Sequence, residues 1–138
     1  MSEPTTAAPP AIGTFCWNEL MTPDTAAARS FYSALLGWAS EEMDMGEAGT
    51  YTIFKQGDQQ VAGMMGMSGP QFEDVPPHWM GYIHVESVDD KTKQAEQLGA
   101  KVCVPPTDIP NIGRFSVITD PTGATISLFQ AKGDCEGA

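Results

Sequence analysis

The two histidines of the chain are the first residues to examine for chemistry, because imidazoles that converge on one point bind transition metals. His78 and His84 lie in the segment HWMGYIHV, which is rich in apolar and aromatic residues and is typical of a strand. A strand rises ~3.3 Å per residue, so six residues place the two rings about 20 Å apart. The spacing therefore predicts that these histidines do not share one metal ion.

The cysteines do not indicate a metal site or a disulfide framework either. Cys16, Cys103 and Cys135 are odd in number and widely spaced, and none belongs to a C-x-x-C pair. They are typical of reduced thiols in an intracellular protein. No apolar run approaches the ~20 residues that span a bilayer, and the first residues do not resemble a signal peptide. We therefore expect a cytoplasmic protein with no membrane partner.

Charge and length limit the function further. Seven Lys and Arg against 18 Asp and Glu give a formal net charge of −11, which disfavours nucleic acid as a partner. The 138 residues, 41% of them apolar, suit a single compact domain. We place that domain at 12–131, between a Pro-, Ala- and Thr-rich tail at 1–11 and a short flexible tail at 132–138.

The first half of the domain, residues 12–67, begins with a strand in IGTFCWNELM and continues into a helix over 23–36. Thr22 is the expected cap, Pro23 the first helical position and Gly37 the left-handed stop. The apolar positions of the helix recur with a helical period. TYTIFKQ and QQVAGMMGM then predict two strands joined by a Gly-Asp turn.

The second half, residues 78–131, repeats this order after a proline-rich linker at 68–77. WMGYIHVE predicts a strand, Ser87 a helix cap, and residues 88–98 a helix. AKVCVPP, GRFSVIT and ATISLFQ predict three strands, the last two joined by the turn DPTG. Trp17 precedes Asp24 by seven residues, as Met80 precedes Ser87, so the halves superpose at an offset of 63. This indicates two β-α-β-β-β modules.

Together these motifs resemble a known family. The segments WNELMTPDTAAARSFYSALLGW, LGAKV and GRFSVITDPTGATISLFQ are similar to the vicinal oxygen chelate superfamily, which includes glyoxalase I, bleomycin-resistance proteins, fosfomycin-resistance enzymes and extradiol dioxygenases. The resemblance implies an α+β fold in which two paired modules form a curled mixed sheet around a cavity. It also implies a homodimer.

The resemblance further implies where a metal would be bound. Metal-dependent members carry a His on the first strand of each module and an acid on the last strand of each. The matching first-strand positions here are Trp17 and Met80, and the last-strand position of the second module is Ser127. Residues 59–72 contain no Asp, Glu, His or Cys. We therefore expect no metal and no cofactor, as in a branch of the family that has lost its ligands.

Two titratable residues remain as candidates for chemistry. Glu19 shares a strand face with Trp17, and it is either a solvated or paired acid at the cavity mouth, a partner for a cationic ligand group, or a general base. His84 is either hydrogen-bonded at a strand end or catalytic, and the two could face one another. The predicted cavity wall consists of Trp17, Glu19, Met65, Tyr82, His84, Phe115, Ser127 and Phe129.

Two functions follow from this candidate site. The first is a metal-independent small-molecule-binding protein of the glyoxalase/bleomycin-resistance type, which sequesters a cationic or aromatic ligand. The resemblance supports it, because bleomycin-resistance proteins hold cationic drugs in acidic, metal-free clefts. The alternative is a glyoxalase-like lyase, isomerase or hydrolase that uses His84 and Glu19 as acid and base. The sequence leaves open whether the chain is an enzyme.

Overall fold

The computed structural model describes residues 11–44, 49–67, 74–109 and 112–131 of the chain. They belong to two compact units. One unit is Trp17–Met80, and the other combines the residues before Trp17 with those after Met80. Residues 12–16, which the sequence placed in the first module, therefore belong with the second unit, and residues 78–80, which it placed in the second module, belong with the first unit. The strands Phe15–Thr22 and His78–His84 each cross a unit boundary and are described with the unit that holds most of their residues.

The unit Trp17–Met80 contains a mixed four-stranded sheet with one helix. Its strand order is β2-β3-β4-β1, with β1 parallel to β4 and the other neighbours antiparallel. The bounds are β1 Phe15–Thr22, α1 Thr25–Leu36, β2 Ala39–Asp44, β3 Thr50–Gln56 and β4 Gln59–Gly66. The predicted β3–β4 hairpin is confirmed. The β-α-β-β-β order implied a strand after α1, but the sequence did not locate the acidic strand β2, because all its residues are exposed and it lacks apolar alternation.

The ends of α1 are set by local capping. Asp24 is the N-cap, because its Oδ1 accepts a hydrogen bond from the Ala27 N–H at 3.0 Å. The predictions of Thr22 as the cap and Pro23 as the first helical position are wrong, because α1 begins at Thr25. The Thr22 side chain is buried, and its Oγ1 accepts instead from the Asp24 N–H at 3.2 Å. Gly37 ends the helix at φ 77°, as predicted, because the left-handed conformation suits glycine.

One side of this sheet is covered by α1. The core between the sheet and α1 comprises Leu20, Phe54, Ala62 and Met64, with Ala28, Tyr32 and Trp38 packed against it. The apolar face of α1 is wider than the area that the sheet covers, since Phe31 and Leu35 remain exposed. The other side of the sheet carries the candidate site.

The second unit repeats the arrangement. Its strand order is β5-β8-β7-β6, with β5 parallel to β8 and the other neighbours antiparallel. The bounds are β5 His78–His84, α2 Val88–Gln97, β6 Lys101–Ile109, β7 Gly113–Thr119 and β8 Thr125–Ala131. Ser87 is the N-cap as predicted, because its Oγ accepts from the Asp90 N–H at 3.2 Å. Val85, Val88, Ile118 and Leu128 form the core under α2.

The predicted α+β class and the order of the two β-α-β-β-β modules are confirmed. Curling of the sheet around a shared cavity stays a prediction, as does the single domain 12–131. The predicted tails at 1–10 and 132–138, which include Cys135, and residues 68–73 of the predicted linker lie outside the described residues. Within the described ranges, no helix has the length and apolarity that a membrane span requires.

Candidate ligand-binding faces

The sheet face opposite α1 carries the candidate residues of the first unit. Side chains alternate along β1, so Trp17 and Glu19 point away from Leu20, which belongs to the core under α1. The β1–β4 register places Glu19 beside Gly63. Met65 lies two residues further along β4 and therefore shares this face. The structure thus brings the predicted residues Trp17, Glu19 and Met65 onto one face.

Tyr51 connects two of these side chains by hydrogen bonds. The Trp17 Nε1–H donates to Tyr51 Oη at 2.9 Å, and the Tyr51 hydroxyl donates to the Glu19 carboxylate. Burial and the negative charge of Glu19 raise the pKa of Tyr51 far above its ordinary value of 10.0, so the hydroxyl stays protonated and remains a donor. Glu19 is only 6% exposed, which excludes the interpretation of Glu19 as a solvated acid.

Gly63 makes room for this arrangement. A Cβ atom at Gly63 would lie 1.7 Å from Tyr51 Oη, so any side chain there would displace the hydroxyl. Sequence reasoning missed both Tyr51 and Gly63. An isolated glycine within a strand pattern indicates a close approach of another group, and Gly63 in QQVAGMMG was that signal.

The sheet face opposite α2 carries the remaining candidate residues. The registers pair Tyr82 with Ser127, His84 with Phe129, and Phe115 with Phe129, so these five side chains share one face. The Tyr82 and Phe129 rings pack edge to face, with centroids 6.4 Å apart at 83°.

His84 is held at the end of β5. It is only 2% exposed. Its backbone N–H donates to the Thr14 carbonyl at 2.9 Å, and its carbonyl accepts from the Gly13 N–H at 2.7 Å. Glu19 and His84 belong to different units, so the idea that they face one another stays a prediction.

The residues at the metal-ligand positions do not fit a transition metal. Glu19 pairs with Gly63 in one unit as Tyr82 pairs with Ser127 in the other, so Gly63 is the equivalent of Ser127. The four positions therefore hold the indole of Trp17, the thioether of Met80, the hydroxyl of Ser127 and a glycine. Carboxylates, imidazoles and thiolates are the usual ligands, and the described residues contain no group of three such side chains.

The chain is similar in sequence to a known family and to two bacterial proteins. The sequence profile of the Glyoxalase/Bleomycin resistance protein/Dioxygenase superfamily matches residues 12–128. CFP32 of Mycobacterium bovis, which is named as a candidate glyoxylase, is 37% identical over 118 residues, or 86% of this chain and 44% of CFP32. The anthracycline biosynthesis protein DnrV of Streptomyces peucetius is 32% identical over 139 residues, or 93% of this chain and 50% of DnrV. The chain thus spans about half the length of these relatives.

Solved structures share the fold at lower identity. Methylmalonyl-CoA epimerase from Mycobacterium tuberculosis has a TM-score of 0.63 at 14% identity, with 91% of this chain and 92% of the epimerase covered. The Mn(II)-bound glyoxalase from Novosphingobium aromaticivorans has a TM-score of 0.55 at 20% identity, with 86% and 39% covered. At these identities the likeness extends to the fold alone.

Proposed function

Because the chain belongs to the Glyoxalase/Bleomycin resistance protein/Dioxygenase superfamily, we propose that it binds a small organic cation that carries an aromatic group, without a metal. The observation that carries the proposal is the buried carboxylate of Glu19, oriented by the Tyr51 hydroxyl beside the indole of Trp17.

The buried carboxylate favours a cationic ligand for an energetic reason. Removing a carboxylate from water costs free energy unless hydrogen bonds or an opposite charge compensate. Tyr51 supplies one such hydrogen bond to the Glu19 carboxylate. A ligand ammonium group would supply both a donor and the opposite charge. A charged hydrogen bond of this kind is worth about 1.5–3 kcal/mol.

The surroundings of Glu19 favour an aromatic ligand. The Trp17 indole is half-buried and its N–H is already bonded to Tyr51, so its ring is fixed in orientation. The face of an indole attracts cations and stacks on flat rings. Met65 on the same face adds a polarizable side chain that adapts to ligand shape. The net charge of −11 would raise the local concentration of a cation around the protein.

The relative DnrV supports this ligand class. Its name assigns it to anthracycline biosynthesis. Anthracyclines such as daunorubicin attach a protonated amine to a planar fused-ring system, which is the combination that Glu19 and Trp17 would recognise. The absence of ligand-type side chains at Trp17, Gly63 and Ser127 supports metal independence.

Fluorescence titration with daunorubicin tests the proposal. N-acetyldaunorubicin serves as the uncharged ligand, because it keeps the rings and the sugar but lacks the ammonium charge. Glu19→Gln removes the carboxylate charge with little change in shape. Glu86→Gln is the matched control, because it removes one charge at an exposed position.

We expect Glu19→Gln to weaken daunorubicin binding by about 1–3 kcal/mol. The same variant should change N-acetyldaunorubicin binding by less than about 0.5 kcal/mol, and Glu86→Gln should change neither by more than that. Equal losses in the two glutamine variants would attribute the effect to net charge and contradict a site at Glu19. Equal affinities of the wild type for the two ligands would contradict a cationic ligand.

A second candidate function is that of a glyoxalase-like enzyme with Glu19 and His84 as base and acid. The candidate glyoxylase CFP32 and the burial of His84 favour it. Conversion of the methylglyoxal–glutathione hemithioacetal, followed by its ultraviolet absorbance in the presence of a chelator, tests this alternative. Turnover that His84→Asn and Glu19→Gln each abolish would support the enzyme, and turnover unaffected by both would contradict it.

A further inference from the structure

Two serines are fully buried in the second unit, and they differ in hydrogen bonding. Ser116 and Ser127 both have no exposed surface. Ser116 Oγ lies 2.7 Å from Thr92 Oγ1, which itself donates to the Val88 carbonyl at 2.6 Å. Ser127 Oγ has no hydrogen-bond partner among the described residues. The first hydroxyl therefore contributes to the packing of α2, whereas the second is a cost to folding.

The unpartnered hydroxyl lies on the candidate face. Ser127 is paired with Tyr82 on one side and with Val117 on the other, so its side chain points away from α2. Leaving a buried donor or acceptor without a partner costs free energy in the folded state, and an alanine would fit the same space without that cost. A buried polar group of this kind requires an explanation, and a ligand atom is one.

We propose that the Ser127 hydroxyl is a ligand contact, and that this face takes a planar aromatic molecule with a neutral hydroxyl or carbonyl oxygen. The neighbours of Ser127 supply the aromatic part of the recognition, since the Tyr82 and Phe129 rings pack edge to face beside it. A serine hydroxyl both donates and accepts, so it suits either kind of neutral oxygen.

Access to this hydroxyl requires a side chain to move. Tyr82 is buried, whereas Phe129 is only partly buried and therefore loses less contact when it rotates. The ligand ring would then pack against Tyr82 in place of the Phe129 ring. The inference rests on the proposed small-molecule binding, but it depends neither on Glu19 nor on a ligand charge.

The test combines two alanine variants with two ligands. Ser127→Ala and Ser116→Ala remove the same group from equally buried positions. 1-Naphthol and 1-methylnaphthalene have similar shapes, and only 1-naphthol carries a hydrogen-bonding oxygen. Equilibrium dialysis gives the affinity of each ligand at pH 7, and urea denaturation gives the midpoint of unfolding of each variant.

We expect Ser127→Ala to weaken 1-naphthol binding about 3- to 10-fold while 1-methylnaphthalene changes by less than about 2-fold. The unfolding midpoint should stay the same or rise in Ser127→Ala and fall in Ser116→Ala. A midpoint that falls equally in both variants would overturn the inference, because the Ser127 hydroxyl would then be structural, satisfied by an ordered water. Equal losses of both ligands, or no loss of either, would overturn it too.

The two proposals fail separately. Glu19→Gln should leave 1-naphthol binding unchanged, because 1-naphthol is uncharged at pH 7. If Glu19→Gln has no effect on daunorubicin while Ser127→Ala weakens 1-naphthol, the cation site is wrong and the Ser127 contact is supported. If instead Glu19→Gln weakens daunorubicin binding while Ser127→Ala leaves 1-naphthol binding unchanged, only the Ser127 contact is overturned.

Discussion

Substitution of Gly63 by alanine should disrupt the candidate site of the first unit without removing any of its polar atoms. The added Cβ would lie 1.7 Å from Tyr51 Oη and 2.4 Å from Tyr51 Cζ. Ordinary contacts begin at 3.4 Å, so the hydroxyl must move by at least 1.7 Å, the difference between 3.4 and 1.7. A displacement of that size breaks the 2.9 Å hydrogen bond from Trp17 and the hydrogen bond to Glu19.

The magnitude follows from the two hydrogen bonds. The neutral bond contributes about 0.5–1.5 kcal/mol and the bond to the carboxylate about 1.5–3 kcal/mol. Replacing glycine by alanine also raises the free energy of unfolding by about 0.4–1 kcal/mol, because the unfolded chain loses conformational freedom. We therefore expect the free energy of unfolding to fall by about 1–4 kcal/mol. Daunorubicin affinity should fall as well, because Glu19 loses the donor that orients it.

Urea denaturation followed by tryptophan fluorescence measures the effect, and Gly66→Ala is the control. Gly66 lies on the same strand, and its nearest atom to an added Cβ is Thr25 Cγ2 at 3.8 Å, an ordinary contact. A Tyr51→Ala background removes the clash, so Gly63→Ala should cost little there. If Gly63→Ala matched Gly66→Ala, or if its cost persisted without the Tyr51 side chain, the reasoning would be refuted.

Three further outcomes can be checked on the same protein. Because the pKa of Tyr51 is raised in the folded state, its protonated hydroxyl stabilises the protein below pH 10, and this stabilisation declines above pH 10. Urea denaturation between pH 8 and 11 should therefore show that Tyr51→Phe loses less stability over this range than the wild type. Asp24→Ala should lower the free energy of unfolding by about 1 kcal/mol through loss of the α1 cap, whereas Asp74→Ala, at an exposed loop position, should change it by less than about 0.5 kcal/mol. Saturating Zn²⁺ or Mn²⁺ should leave the melting temperature unchanged relative to chelator, because an ion that bound the native state tightly would stabilise it by several kcal/mol; a large metal-specific rise would contradict metal independence.

The sequence determined the features that depend on neighbours along the chain. The end of α1, the start of α2, the β3–β4 hairpin and the DPTG turn all follow from contacts within a few residues, whereas the cap of α1 was predicted two residues too early. In that turn, Asp120 Oδ1 accepts from the Thr122 hydroxyl at 2.7 Å and from the Ala124 and Thr122 N–H groups at 3.1 and 2.8 Å, and these bonds lower the pKa of Asp120. Alternation along β1 likewise placed Glu19 on the face of Trp17. Short-range geometry is repeated in every protein, so residue types and spacing are sufficient to predict it.

Only the tertiary structure decided what surrounds these residues. Tyr51 lies 34 residues from Trp17 in sequence, and its hydrogen bonds to Trp17 and Glu19 depend on the register of β3, β4 and β1. Alternation gives the face of Glu19 but not its burial, and it cannot distinguish the satisfied Ser116 from the unpartnered Ser127. Strand register and burial arise from the packing of the whole sheet, where a shift of one residue would turn every side chain to the opposite face.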